Sequence, residues 1–308
     1  TAKQFAHWWI NDQDDVDPHN GQLETVTFHP SFTYEDFIEG LSVDTNADGT
    51  VVYDEEPGVF LEFAERARQE YYATDDDDTP PRYVLIIDEI NRGNLAQIFG
   101  EMITALEADK RLDGPNQTTV SLAHSGDRFL IPPNLFLIGT MNTADRSIAL
   151  VDAAIRRRFR FLGFPPNLRL LREEYDLGSW ADVLTNAKTP GAEDHLLCKS
   201  LIAIHELNAR IRSEPDLGRG KQIGHSFLFE IASDEEIVDT WRFEILPLLE
   251  EYLFGQYDRI RESLFTGDGE ELFDWDRQEI RSFNAETLST AFDTFVEFFD
   301  LASVNDSD

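Results

Sequence analysis

The spacing of apolar residues changes several times along the chain, and each change predicts an element. In "YVLII" (83–87) and "LFLIG" (135–139) nearly every position is apolar. Both runs are too short for a helix, and the first is rich in β-branched residues, so they predict strands buried on both faces of a sheet. Residues 94–109 differ, placing Leu95, Ile98, Phe99, Met102, Ile103 and Leu106 at i, i+3, i+4, i+7, i+8 and i+11. That spacing lays one apolar stripe on a helix, with Asn94 as its N-cap. Residues 1–10 and 59–72 are also helical in pattern, "LETVTF" (23–28) alternates as a strand does, and 31–40 begins a helical or irregular segment. Turn pairs Asp48-Gly49 and Pro57-Gly58 around a short strand predict a hairpin, and Ser125-Gly126 predicts another within 118–134. "RSIALVDAAIRRRF" (146–159) predicts a further helix.

Strands alternating with helices imply an α/β fold: a mostly parallel sheet covered on both faces. After "FRFLGFPPN" the pattern becomes helical, over 199–213, 235–254 and 286–301, with one possible short strand near 223–231. Pro165-Pro166 marks the boundary. The expected organisation is an α/β core (1–164), a smaller helical domain (165–260) and an acidic, Phe-rich helical segment (261–308).

Charge narrows the picture. Sixty acidic residues against 26 basic ones give a net charge of −34, and Lys3, Lys110, Lys188, Lys199 and Lys221 are the only lysines. Such a surface repels itself unless salt screens it, which reads as halophilic adaptation. It argues against broad binding of a phosphate backbone by this chain alone, because that needs Lys and Arg; Arg156-Arg157-Arg158 is a local exception. A single cysteine, Cys198, excludes an internal disulfide framework. The absence of an apolar run of about 18 residues argues against a membrane helix. With no signal-like start, a cytoplasmic protein is expected.

In parallel α/β sheets, ligands sit beyond the carboxyl ends of the strands. There the chain places Asp88 and Glu89, and on the other strand Asn142. An apolar run ending in Asp-Glu is the Walker B pattern: the Asp holds Mg²⁺, often through water, and the Glu activates a water against a γ-phosphate. Asn142 can position that water. Phosphoryl transfer also needs positive charge on the γ-phosphate, for which Arg156, Arg157 and Arg158 are candidates, with Arg92 a second source. Cations at a helix C-terminus also suit the helix dipole, so the arginine run has a structural reading beside the functional one. No G-x-x-x-x-G-K-[ST] loop occurs in the 308 residues. The chain opens on "TAKQFAHWWI", which reads as a helix already under way. The expectation is a fragment beginning just after such a loop, with Thr1 as its last residue and a Mg²⁺ ligand; in this form it would bind nucleotide poorly.

"IIDEINRGNLAQIFGEMITALEADKR", "IGTMNTADRSIALVDAAIRRRF" and "FHPSFTYEDFIEG" resemble the McrB family of AAA+ nucleotidases, and the similarity resumes at "GRGKQIGHSFLF" and "ILPLLEEYLFG". It covers most of residues 1 to 256 and is densest over 83–161. The resemblance implies an AAA+ core with a helical lid, hydrolysing GTP or ATP with Mg²⁺ at the subunit interfaces of a homo-oligomeric ring, expected as a hexamer. It also implies an McrC-like nuclease partner, with DNA reached through a separate domain. By the same resemblance Asp88 and Glu89 are Walker B, Asn142 is sensor 1, and Asp145 and Arg146 lie at the subunit interface. Arg157 and Arg158 would then act on nucleotide in the neighbouring subunit, and Gly224 and His225 would lie near a second sensor in the lid. His225 can equally be an ordinary packed histidine. Alternative readings are a MoxR-like or dynein-related chaperone ATPase, and a non-hydrolysing AAA+ scaffold.

Overall fold

A computed structural model of the chain describes residues 2–11, 21–45, 51–75, 77–142 and 153–304. These fall into two units that meet in sequence at Leu162 and Gly163. The first unit contains α1 (Ala2–Asn11), β1 (Leu23–Thr27), α2 (Tyr34–Phe37), β2 (Glu39–Thr45), β3 (Val51–Pro57) and α3 (Val59–Ala73). It continues through β4 (Tyr83–Asp88), α4 (Leu95–Phe99), β5 (Val120–Ser121), β6 (Arg128–Phe129), β7 (Leu135–Gly139) and α5 (Ala153–Arg156).

Strands β1, β4 and β7 form a parallel sheet in that order, with Val26 opposite Ile87 and Ile87 opposite Gly139. The centre strand explains its own composition. Successive side chains point to opposite faces, so Val84 and Ile86 pack with Ala6 and Ile10 of α1. Leu85 and Ile87 join the other core, which holds Phe63 and Ala67 of α3 and Ile98 and Phe99 of α4. Neither face meets water, so neither can carry a polar side chain. The expected α/β layer, a parallel sheet covered on both faces, is present.

Two hairpins flank the sheet. β2 pairs antiparallel with β3, and β5 with β6, both where the turn residues predict them. Glu39, 3% exposed, links the two ribbons. It accepts the backbone N–H of His124 at 2.6 Å and of Ser125 at 3.2 Å, and the Ser125 hydroxyl at 2.7 Å.

The stripe over 94–109 is buried as expected and Asn94 caps it, accepting from Gln97 N–H at 3.3 Å, but it is not one helix. Helix α4 stops at Gly100 (φ 49°), and a tighter 3₁₀ turn follows over Gly100–Ala105. Gly100 ends the helix in a positive-φ conformation open to glycine, and a Cβ there would lie 2.8 Å from the Tyr34 ring, so no other residue fits the position. Of the helix expected over 146–159, residues 153–159 are described; Ala153–Arg156 is helical and 157–159 is turn, so the helix ends earlier than expected.

The second unit is helical. It comprises α6 (Arg169–Glu174), α7 (Trp180–Ala187), α8 (His195–Ser213), α9 (Asp234–Thr240), α10 (Leu246–Tyr252), α11 (Tyr257–Arg259), α12 (Ala285–Ala291) and α13 (Asp293–Phe298). Helix α8 is its axis, with Leu197, Leu201, Ile204 and Ile211 in a core built also by α7, α9, α12 and α13. Residues 261–304 supply Phe265, Phe273, Phe283, Phe292 and Phe295 to that same core.

One expectation fails here. The strand proposed near 223–231 is absent, and His225–Leu228 is a 3₁₀ turn. The Asn208 side chain takes both backbone groups of Ile223, accepting its N–H at 2.6 Å and donating to its carbonyl at 3.0 Å, which leaves nothing there for a partner strand. A short hairpin, β8 (Phe273–Asp274) with β9 (Glu279–Ile280), occurs instead in the tail.

Lys199 is 4% exposed and fastens the tail to α8. Its Nζ donates to the Ser289 carbonyl and hydroxyl, both at 2.9 Å, and to Asp293 Oδ1 at 2.5 Å. Asp293 keeps much of its side chain in water, so loss of the pair costs less than for a fully buried one. Lys199→Ala is expected to destabilise the protein by about 2 kcal/mol in urea unfolding, in the range for hydrogen bonds to charged groups. Lys199→Met, which keeps the stem, should recover only the packing part; an unchanged midpoint in both variants would remove this fastening. Cys198 beside it is buried, and burial pushes its thiol up to about 12, so it is not poised as a nucleophile. Among the described residues no helix is long and apolar enough to cross a membrane.

Candidate active site at the strand ends

Strand β4 ends where its partners' hydrogen bonds end. Phe28 N–H donates to the Asp88 carbonyl, Thr140 N–H to the Ile87 carbonyl and Ile90 N–H to the Thr140 carbonyl, all at 2.9 Å. Asp88 and Glu89 are thereby pinned between β1 and the residue that follows β7. The Thr140 hydroxyl donates to Asp88 Oδ1 at 2.5 Å and accepts the Glu89 N–H at 3.3 Å. One hydroxyl thus fixes both carboxylate residues.

Glu89 has φ 53° and ψ 42°, a left-handed conformation that costs a non-glycine residue about 1 kcal/mol. Such positions persist where the surroundings over-determine them, often at functional sites. Here the bend starts a 3₁₀ turn, Ile90–Arg92, that brings Arg92 back onto Glu89. Arg92 Nε donates to Glu89 Oε2 at 3.1 Å, leaving Oε1 without a donor among the described residues. Arg92 therefore sits against the carboxylate of its own turn.

Asn142 lies two residues past Thr140 and is exposed. Its carbonyl accepts from Asn91 Nδ2 at 3.4 Å, which ties the end of one strand to the end of the other. Asn91 is 8% exposed, and its Oδ1 is buried with no hydrogen-bond partner among the described residues. Asp88 Oδ2 likewise has no donor among them. An aspartate at a strand end whose second carboxylate oxygen has no donor among the described residues suits a cation held mainly through its own waters. Mg²⁺ binds in that way, and when bound at Asp88 its waters would supply O–H donors to the carboxylate.

The three arginines separate. Arg156 stacks on the Phe161 ring at 5.3 Å, and Arg158 lies 3.4 Å from Glu107, which also holds Lys110. Arg157 is exposed and has no ion-pair partner among the described residues. In the second unit, His225 Nδ1 accepts the Asn167 N–H at 3.1 Å, so the ring proton is on Nε2. Burial lowers its pKa, which favours the neutral ring, and the ring meets Phe229 edge-on. That is the environment of a packed histidine whose Nε2–H is still available. Gly224 caps the turn that carries it. Thr1, Asp145 and Arg146 lie outside the described residues.

Sequence reading gave no role to Thr140, Asn91 or Glu107. The first two had a signal: each stands within two residues of a strand-end candidate, where a short polar side chain can bridge. Glu107 had none, since its contact with Arg158 spans fifty-one residues.

Comparison with known proteins bears on this site. Residues 15–159 match the AAA domain of the dynein-related subfamily, and residues 200–261 match the McrB alpha-helical lid domain. The EcoKMcrB subunit of the type IV methyl-directed restriction enzyme of Escherichia coli K12 is 36% identical over 240 residues, covering 76% of this chain and 47% of that protein. Component YdiS of the type II restriction enzyme BsuMI of Bacillus subtilis 168 is 28% identical over 166 residues, 44% of this chain and 46% of that one. The chain spans about half the length of the curated relatives it matches.

Proposed function

The chain is an McrB-type AAA+ protein, and from that membership we propose that it is the nucleoside triphosphatase core of a methylation-dependent DNA restriction system. The observation that carries this reading is the strand-end site: Asp88 and Glu89 held by one threonine hydroxyl beside the residue run that leads to Asn142. Mg²⁺ would be held by Asp88, with Thr1 as a further ligand, and would neutralise charge on the β- and γ-phosphates. Glu89 Oε1 accepts the proton of the attacking water, while Arg92 orients the carboxylate through Oε2. Asn142 directs that water or a phosphate oxygen. Arg157, exposed and without an ion-pair partner among the described residues, reaches the nucleotide of the next subunit. Arg158, Asp145 and Arg146 support that interface, and Gly224 and His225 are the lid's residues for a second sensor. Subunits close into a hexameric ring, an McrC-like nuclease is the driven partner, and a separate domain reads modified DNA.

The match of 15–159 to the dynein-related subfamily alone would also suit a MoxR-like chaperone ATPase. The lid match at 200–261 favours the restriction reading. Steady-state hydrolysis of GTP and ATP by the full-length protein, with and without chelated Mg²⁺, separates the readings. Magnesium-dependent turnover of GTP supports the restriction motor. Turnover of ATP alone reopens the choice of client, and turnover of neither replaces the motor with a scaffold. The charge of −34 is read as adaptation to high salt, so the assay is run in molar salt and in dilute buffer; equal activity in both would remove that part.

A further inference from the structure

Thr140, the first residue after β7, grips four consecutive residues at the end of β4. Its N–H donates to the Ile87 carbonyl and its carbonyl accepts the Ile90 N–H, both at 2.9 Å. Between these, its hydroxyl donates to Asp88 Oδ1 at 2.5 Å and accepts the Glu89 N–H at 3.3 Å. The two backbone bonds need no particular side chain, since every residue but proline can make both. The hydroxyl bonds do need one, and they go to the two residues that carry the proposed chemistry.

The turn after β4 is also held from another side. Ile90 is 7% exposed and lies on Gly139, where a Cβ would come 2.8 Å from Ile90 Cδ1. That packing fixes where the turn sits, but an apolar contact cannot orient a carboxylate. The terminal torsion of an aspartate is soft, so a hydrogen bond to one oxygen is what sets the carboxylate plane. At Asp88 the hydroxyl takes Oδ1 and leaves Oδ2 without a donor among the described residues. At Glu89 the left-handed backbone, φ 53°, turns the N–H onto the same hydroxyl, which offsets part of the strain of that conformation. Valine has the β-branched shape of threonine and would fill the same space, so packing alone gives no reason for a hydroxyl here.

We propose that Thr140 is a positioning residue for both halves of the reaction. Its hydroxyl holds the Asp88 carboxylate so that Oδ2 is the oxygen offered to Mg²⁺ and its waters, and it holds the bend that presents the Glu89 carboxylate. Thr140 acts through these two residues and not on the nucleotide itself. The proposal deepens the triphosphatase reading above and rests on it.

Full-length Thr140→Val, Thr140→Ala and Thr140→Ser proteins test it by two measurements. Mn²⁺ binding in the presence of non-hydrolysable GTP or ATP analogues, followed by electron paramagnetic resonance, reports the Asp88 half. Steady-state kcat and KM at saturating Mg²⁺ report the Glu89 half. Thr140→Val should weaken Mn²⁺ binding about tenfold and lower kcat about tenfold or more, the range for losing a group that orients a metal ligand. KM for nucleotide should stay within a few-fold of wild type. Thr140→Ser keeps the hydroxyl and should recover most of both losses. Thr140→Ala removes the hydroxyl without a steric demand, so the result does not hang on how valine packs. Wild-type Mn²⁺ affinity and kcat in the Val and Ala variants would overturn the proposal. Equal losses in the Ser and Val variants would also overturn it, and would assign Thr140 to packing of the strand end. Loss of kcat with Mn²⁺ binding unchanged would overturn the Asp88 half and support the Glu89 half; the opposite pattern would do the reverse. A wild-type protein that binds Mn²⁺ and analogue but turns over neither nucleotide would end the triphosphatase reading, and the Mn²⁺ measurement would still decide the Asp88 half.

Discussion

Glu89→Gln is expected to leave nucleotide binding within a few-fold of wild type and to cut turnover by about 10³, in the range that general-base catalysis contributes. The substitution preserves size, and Gln can still accept from Arg92 Nε through its carbonyl, so the bend at φ 53° and the contact at 3.1 Å need not change. What is lost is the carboxylate that takes a proton. Equilibrium binding of a labelled nucleotide beside single-turnover hydrolysis separates the two effects. Full turnover in the variant would remove Glu89 as the base. A loss of binding of the same size would show that its role is in holding the ligand.

Arg157→Ala should be the second large effect, lowering turnover by about 10³ or more, as removal of an arginine finger does. The three arginines occupy different environments, so they should not respond alike. Arg156 lies on Phe161 and Arg158 near Glu107, whereas Arg157 is exposed without an ion-pair partner among the described residues. Arg158→Ala should therefore disturb the turn after α5 and cost turnover less. Single-turnover rates at saturating nucleotide decide the order. If Arg158→Ala is the more damaging, the finger is Arg158, and its contact with Glu107 must open on assembly.

Much of the site was legible because sheet burial leaves a simple trace. A strand covered on both faces must be apolar throughout, so the first charged residue after "YVLII" marks its end, while the half-buried "LFLIG" ends where the polar Thr140 follows. Features decided by a distant side chain left no such trace. At Gly100 the stripe at 94–109 is interrupted by a positive-φ turn, and only glycine fits because Tyr34, sixty-six residues earlier in the chain, packs against it. Asn208 occupies the backbone of Ile223 and removes a strand that local composition suggested. The tail was opaque for a related reason. Its buried phenylalanines are spread over short helices, a hairpin and turns, so no single period runs through them, although they join the core around α8. The π turn at Trp241–Ile245 is equally silent in sequence, because its residues would fit an ordinary helix.

In the proposed function Asp88 and Glu89 form half of a site that a second copy completes. Full-length Glu89→Gln and Arg157→Ala proteins, each inactive alone, would be mixed in equal amounts and assayed for hydrolysis. Random head-to-tail assembly gives about a quarter of the interfaces an intact Glu89 on one side and an intact Arg157 on the other. Turnover should rise toward that fraction of wild type in the mixture. A mixture as inactive as its components, in particles shown to contain both variants, would contradict the shared site.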